Sequence, residues 1–110
     1  MIQDFYCNAV LNGRTKVKIV FETDSVLAFH HTRPFYENHV VVIPKVHIYS
    51  LISEEVGNTE QLLLEMLRII KKVAAEMVEE TGASKIIANL GEYQDTKHLH
   101  WHVVSGERIR

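Results

Sequence analysis

Short apolar segments separated by polar turns occupy most of this chain, and one stretch carries the longer repeat of a helix. Residues with β-branched or aromatic side chains predict five strands, at Lys16–Glu22, Val26–Phe29, His39–Ile43, Lys85–Leu90 and Leu99–Val104. The third of these is almost wholly apolar, which indicates a central strand covered on both faces. The polar stretch 91–97 predicts a loop between the last two strands.

The helical repeat predicts one long helix. Asn58 or Thr59 can cap its first turn, and Gly82 can end it. Apolar residues at steps of three and four predict its buried stripe: Leu63, Leu67, Ile70, Ala74, Met77 and Val78. A short N-terminal helix is predicted over Ile2–Leu11. Strands, one long helix and further strands with short links indicate an α+β fold with antiparallel pairing.

Composition and charge narrow the class of protein. Residues 1–110 suit a single domain, with 46% hydrophobic and 24% charged residues. Fourteen acidic residues against twelve basic ones give a net charge of −2, which disfavours a nucleic-acid polymer or a membrane as partner. The single Cys7 and the lack of a recognisable signal peptide or membrane-spanning run predict a cytoplasmic protein.

Seven histidines are the unusual feature of the composition, and three of them alternate with apolar residues near the C-terminus. On a strand, His98, His100 and His102 would share one face, and the apolar residues between them would share the other. The apolar face can pack on the helix, so we expect the imidazoles to form an exposed row. A shuffled chain of this composition would contain about 0.017 copies of this pattern. Three incidental histidines on a polar face are the alternative.

Imidazole offers several kinds of chemistry near neutral pH. It can act as a nucleophile, a general acid or base, a phosphate partner or a zinc ligand. The sequence has no Gly-rich phosphate loop and no Gly-x-Ser-x-Gly motif that would compete for these roles. If His100 were a nucleophile, a backbone carbonyl could fix its tautomer and its neighbours could hold the oxygens of a phosphoryl group.

The segment His98–Val104 resembles the signature of the histidine-triad (HIT) superfamily, His-φ-His-φ-His-φ-φ with φ apolar, at every position. The segments Phe21–Phe29 and His39–His47 also look like successive strands of that family. The resemblance implies a five-stranded antiparallel sheet with one long helix, in a homodimer. It further implies hydrolysis or transfer at the α-phosphate of a nucleotide conjugate, a phosphoramidate or a dinucleoside polyphosphate, with an AMP-type purine nucleotide as ligand and no required cofactor.

The same resemblance assigns roles to individual residues. It implies that His100 is the nucleophile that becomes nucleotidylated, that His102 contacts the phosphate, and that His98 orients the neighbouring loop. It also implies a set of substrate contacts: His39 in the phosphate pocket, Asn89 and Gln94 on the phosphate side, and Tyr6, Phe29 and Val41 near the base.

Two positions depart from the family pattern within the expected site. Members usually have Asp or Asn where this chain has His31, which would contact the ribose hydroxyls or else face solvent. Members often have Ser or Thr where this chain has Asp95, and a carboxylate there would repel a phosphate. Thr96 could supply the hydroxyl instead, or Asp95 could be an ordinary turn residue.

A third departure concerns zinc. Some members bind structural zinc, and the corresponding residues here are Asp4, Cys7, His47 and His98. A buried, metal-free Cys7 is the alternative. Two other functions stay open from the sequence: a dimeric nucleotide-binding module with weak catalysis, and a metalloprotein that uses the histidine row as ligands.

Overall fold

Five antiparallel strands and one long helix form the fold in the computed structural model, which describes Tyr6, residues 10–53 and residues 59–110. The strands and helix are, in chain order, β1 (Ile19–Glu22), β2 (Val26–His30), β3 (Tyr36–Pro44), α1 (Thr59–Thr81), β4 (Lys85–Ala88) and β5 (Trp101–Arg108). The sheet order is β1-β2-β3-β5-β4, and every neighbouring pair is antiparallel. The predicted α+β class and the antiparallel sheet are confirmed.

Strand boundaries differ from the sequence prediction where distant parts of the chain compete for hydrogen bonds. Leu99 was expected to begin the last strand, but its N–H donates to the carbonyl of Ile48, 2.6 Å away, in the loop after β3. The strand therefore begins at Trp101 and continues to Arg108, opposite Tyr36. The first strand likewise begins at Ile19 rather than Lys16.

Helix α1 packs across β2, β3 and β5 on one face of the sheet. Gly82 follows it with a φ of 87°, in the left-handed region that favours glycine, and this confirms the predicted stop. The predicted stripe was wrong at Leu67 and Val78, which are about half exposed. The helix instead buries Met66, Ile69, Ile70, Val73 and Met77. Apolar residues cover more than one side of this helix, and only the side toward the sheet is buried.

The opposite face of the sheet carries a second apolar cluster. Tyr6 and Val10 from the N-terminal segment pack there with Leu27, Phe29, Val41 and Ile43. Because Val40 and Val42 pack in the helix-side cluster, β3 is buried on both faces, as predicted. Phe29 pairs with Val41, Val41 with His102, and His102 with Ile87. These pairings set a row of side chains across four strands on the face opposite the helix.

The N-terminal segment is described only in part. The N–H of Leu11 donates to the carbonyl of Tyr6, 2.7 Å away. The rest of the predicted short helix, including Asp4 and Cys7, lies outside the described residues. Within the described part of the chain, no helix is both long enough and apolar enough to span a membrane.

Candidate active site

The three alternating histidines are buried, not exposed as expected. Their side chains are 0% (His98), 7% (His100) and 9% (His102) exposed. Tyr6 packs against two of them, because its ring centroid lies 5.0 Å from that of His100 and 5.8 Å from that of His98. The prediction failed because it took account of the helix face only, whereas the N-terminal segment packs on the other face.

A backbone carbonyl fixes the tautomer of His100. The Nδ1 atom of His100 lies 2.7 Å from the carbonyl oxygen of His98. A carbonyl oxygen can only accept a hydrogen bond, so the neutral imidazole carries its proton on Nδ1. Nε2 of His100 therefore holds the lone pair, which a nucleophile requires.

A chain of hydrogen bonds gives His102 the opposite tautomer. The backbone N–H of Phe35 donates to Nδ1 of His39, 3.0 Å away, so neutral His39 is protonated on Nε2. That N–H can donate to Nδ1 of His102, 2.8 Å away. His102 then carries its own proton on Nε2 and can donate a hydrogen bond from it. An imidazole with its lone pair on Nε2 and an imidazole with a proton on Nε2 thus lie next to each other, with ring centroids 5.0 Å apart.

Burial keeps His39 and His102 neutral. Burial, and then the charges of His31 and His100, lower the pKa of His39 to about 4. Burial, followed by the charges of His100, His39 and His31, lowers the pKa of His102 to about 3. Both rings are therefore neutral at pH 7, as the hydrogen-bond chain requires.

A cavity of about 730 Å³ opens beside these rings. Nine residues predicted from the sequence line it: Tyr6, Phe29, His31, His39, Asn89, Asp95, Thr96, His100 and His102. The structure therefore brings most of the expected site together around one space of the size that small-molecule ligands occupy.

Three predicted residues do not line the cavity. Gln94 is buried, and its Nε2 donates to the carbonyls of Tyr49 at 2.6 Å and Thr96 at 3.1 Å, which holds the loop before the triad. Val41 is fully buried in the apolar cluster next to Phe29. His98 is fully buried, and its Nε2 lies 3.0 Å from the Pro44 carbonyl, which ties the triad to the end of β3.

The sequence analysis missed several residues that line the cavity: Thr32, Arg33, Phe35, Tyr36, Ile87, Tyr93 and Arg108. Most of them belong to connections or to strand ends, which periodicity does not orient. Only the alternation along the predicted strand Lys85–Leu90 could have placed Ile87 in the site, because it puts Ile87 and Asn89 on the same face.

His31 lines the cavity and is partly buried. The backbone N–H of Arg33 donates to Nδ1 of His31, 2.9 Å away. The His31 ring lies 4.4 Å from that of His39 and is nearly parallel to that of His102 at 6.0 Å. Burial, and then the charges of His100 and Arg110, lower the pKa of His31.

Known proteins resemble this chain in sequence and in fold. The model of the HIT domain family matches residues 4–109, almost the whole chain. The chain belongs to the HIT family. Two histidines of the triad, His100 and His102, line the cavity.

Relatives of this HIT chain include proteins of similar length and fold. An uncharacterised 13.2 kDa HIT-like protein of Azospirillum brasilense is 32% identical over 91% of this chain and 84% of its own. A histidine triad protein from Clostridium difficile has 30% identity and a TM-score of 0.79, covering 100% of this chain and 97% of its own. A HIT family hydrolase from Legionella pneumophila has 27% identity and a TM-score of 0.76, covering 98% and 96%.

Two groups of histidines in this HIT chain bear on metal binding. His47 and His98 of the expected zinc set have ring centroids 5.2 Å apart. The other two residues of that set, Asp4 and Cys7, lie outside the described residues. Separately, one ring nitrogen from each of His31, His39 and His102 lies within 4.8 Å of the others, close enough for a shared metal ion.

Proposed function

We propose that this protein is a nucleotide hydrolase or transferase that acts at the α-phosphate of a nucleotide conjugate through a covalent nucleotidyl-histidine intermediate on His100. The observation that carries the proposal is the hydrogen bond from Nδ1 of His100 to the His98 carbonyl, at 2.7 Å. It leaves the lone pair on Nε2 of a residue that lines the cavity.

The reaction would proceed in two displacements. Nε2 of His100 attacks the α-phosphorus, an N–P bond forms, and the bond from phosphorus to the leaving group breaks. The leaving group keeps that electron pair and takes a proton from solvent or from the Thr96 hydroxyl, which lines the cavity. Water, or another acceptor in a transfer, then attacks phosphorus and gives up a proton to solvent or back to Thr96. The N–P bond breaks, its electron pair returns to Nε2 of His100, and the nucleotide is released.

His102 would stabilise the charge that develops on the phosphoryl oxygens. Its Nε2–H is a donor set in advance by the bond from His39, so little reorganisation is needed during the reaction. Asn89 would contact the phosphate, and Phe29 and Tyr6 would contact the purine base of an AMP-type ligand, since all three line the cavity.

We further propose that the protein acts as a homodimer in the cytoplasm. Leu64, Leu67 and Val78 on α1 and Ile86 on β4 leave 45% to 50% of their surface exposed, which a second copy could cover. The single Cys7 suits a reducing compartment.

A structural zinc ion would stabilise the fold and would take no part in this reaction. His98 donates from Nε2 to Pro44, so Nδ1 keeps a lone pair, and His47 is adjacent. With Asp4 and Cys7, these residues would supply four acceptable ligands, and the ion would tie the N-terminal segment to the loop after β3. Zinc content of the purified protein, compared with that of Cys7→Ala, tests this site.

A nucleotide-binding module with weak catalysis is the second candidate. Asp95 lines the cavity, and its carboxylate would repel a phosphate beside it. This candidate predicts that AMP binds but that no AMP is released from a conjugate.

The deciding experiment measures AMP release from adenosine phosphoramidate and from a dinucleoside polyphosphate. Wild type and His100→Ala are compared, with His30→Ala as control because His30 is exposed and does not line the cavity. We expect release by wild type and His30→Ala and a loss of at least 10³-fold in His100→Ala. AMP binding without release by wild type would instead support the binding module.

A further inference from the structure

His31 extends the row of imidazoles beyond the triad. Its ring lies 4.4 Å from that of His39, tilted by 39°, and stacks with that of His102 at 6.0 Å, on the cavity wall. The backbone N–H of Arg33 occupies Nδ1 of His31, so the neutral ring carries its proton on Nε2. His31 therefore presents a hydrogen-bond donor, as His102 does, and both would bind an acceptor such as a phosphate oxygen.

Two residues that line the cavity carry a positive charge. Arg33 and Arg108 line the cavity, whereas Asp95 supplies the one carboxylate among the described lining residues. Nε of Arg108 donates to the carbonyl of Arg110, 2.6 Å away, which orients the guanidinium. This local charge contrasts with the net charge of −2 on the whole chain and favours an anionic group.

The backbone hydrogen bonds to His31 and His39 favour the binding of an anion over that of a metal ion at these two rings. A metal at Nε2 of His31 or His39 would require the proton of each ring to sit on Nδ1. Both Nδ1 atoms accept backbone N–H groups, from Arg33 at 2.9 Å and Phe35 at 3.0 Å. Two N–H groups would then face each other at each ring, so these bonds would have to break before a metal could bind.

We propose that His31, Arg33 and Arg108 form a second anion subsite, which binds a second phosphate of the nucleotide substrate next to the phosphate that His100 attacks. The inference rests on the proposed function and narrows it to nucleotides that carry at least two phosphate groups. The second phosphate lies either along a polyphosphate chain or on the ribose.

Calorimetry in metal-free buffer at pH 7.5 and constant ionic strength tests the subsite. The ligands are AMP, α,β-methylene-ADP (whose bridge resists cleavage) and adenosine 3′,5′-bisphosphate. The measured quantity is the ratio of the AMP Kd to the Kd of each doubly phosphorylated ligand. The variants are Arg33→Ala, His31→Asp and His31→Gln, which keeps an N–H donor. Arg68→Ala is the charge-matched control, because Arg68 is exposed on α1 and does not line the cavity.

We expect at least one doubly phosphorylated ligand to bind wild type and Arg68→Ala about tenfold more tightly than AMP. This ratio should fall to about two or less in Arg33→Ala and His31→Asp, and His31→Gln should retain part of it. A gain with methylene-ADP alone assigns the second phosphate to the polyphosphate chain, and a gain with the bisphosphate alone assigns it to the ribose.

Other outcomes overturn the subsite. AMP binding with no gain for either ligand, or a gain that His31→Asp and Arg33→Ala both keep, contradicts the subsite and leaves the proposed function standing. One-to-one binding of Zn²⁺ alone that is lost in His31→Gln, without a phosphate gain in wild type, would assign the rings to a metal. Failure of every nucleotide to bind would overturn the proposed function and the subsite together.

Discussion

Nε2 of His39 lies 2.8 Å from Nδ1 of His102, and this contact decides which nitrogen of His102 carries a proton. This series of hydrogen bonds begins at the backbone N–H of Phe35, which donates to Nδ1 of His39. The tautomer of His39 fixes the tautomer of His102, so His102 becomes a donor from Nε2. The residues are far apart in the chain, and the pairing of β3 with β5 brings them together.

Removing the donor at position 39 should slow the reaction while leaving the nucleophile in place. In His39→Leu, nothing fixes the tautomer of His102, and the phosphoryl oxygens lose a preorganised donor. We expect the rate of AMP release to fall about 10²- to 10³-fold. Nitrogen-15 NMR of the imidazoles should show His102 shifting from the Nε2–H form toward a mixture.

His39→Gln is the matched variant, because its amide can still donate a hydrogen bond. We expect it to recover part of the rate and of the Nε2–H population at His102. An unchanged His102 tautomer in His39→Leu would contradict the proposed order of hydrogen bonds.

Acid should destabilise the fold through the same two rings. The pKa values of about 4 for His39 and about 3 for His102 lie below the 6.5 of an unfolded histidine. Between pH 6.5 and these lower pKa values, the unfolded chain therefore binds more protons than the folded chain. The two neutral rings make their full contribution to the free energy of unfolding above pH 6.5, and this contribution is lost as the pH falls toward 4 and then 3. Urea unfolding at pH 7.5, 5.5 and 4.5 measures the loss.

Carboxylates also respond to acid, so the comparison with His39→Gln isolates the histidine contribution. This variant should lose less stability than wild type between pH 7.5 and 4.5. Parallel losses in the two proteins would show that His39 ionises alike in the folded and unfolded states.

Replacing the carboxylate at position 95 should speed the reaction. Asp95→Ser removes a negative charge from the cavity wall and supplies a hydroxyl that can assist the leaving group. We expect AMP release about tenfold faster, equivalent to about 1.4 kcal/mol of barrier. Asp24→Ser is the control, because Asp24 is exposed in the turn between β1 and β2. Equal rates for Asp95→Ser and wild type would show that the carboxylate does not oppose the reaction.

Two neighbouring apolar residues of α1 should differ in their contribution to stability. Ile70 is 2% exposed and packs against the sheet, whereas Leu67 is 45% exposed. Ile70→Ala should lower the free energy of unfolding by about 2 to 5 kcal/mol, and Leu67→Ala by less than about 1 kcal/mol. Urea unfolding at low protein concentration measures both. An equal cost for Leu67→Ala would mean that Leu67 is also covered, as in a dimer.

Local periodicity predicted the strands and the helix, because side-chain direction along a strand or helix depends on near neighbours. It failed where a distant group intervened. Leu99 is not part of the last strand, because its N–H donates to the carbonyl of Ile48. Leu67 is exposed because it lies on the side of the helix that faces away from the sheet.

The sequence by itself determined the family signature, since the alternation of His98, His100 and His102 with apolar residues is a local property of the chain. Only the tertiary structure decided the burial of His98 and His100 next to Tyr6, the tautomer of His102 and the place of His31 beside His39. Burial and the proton on a ring nitrogen depend on partners from other elements, and the pairing of β2, β3 and β5 sets which partners meet.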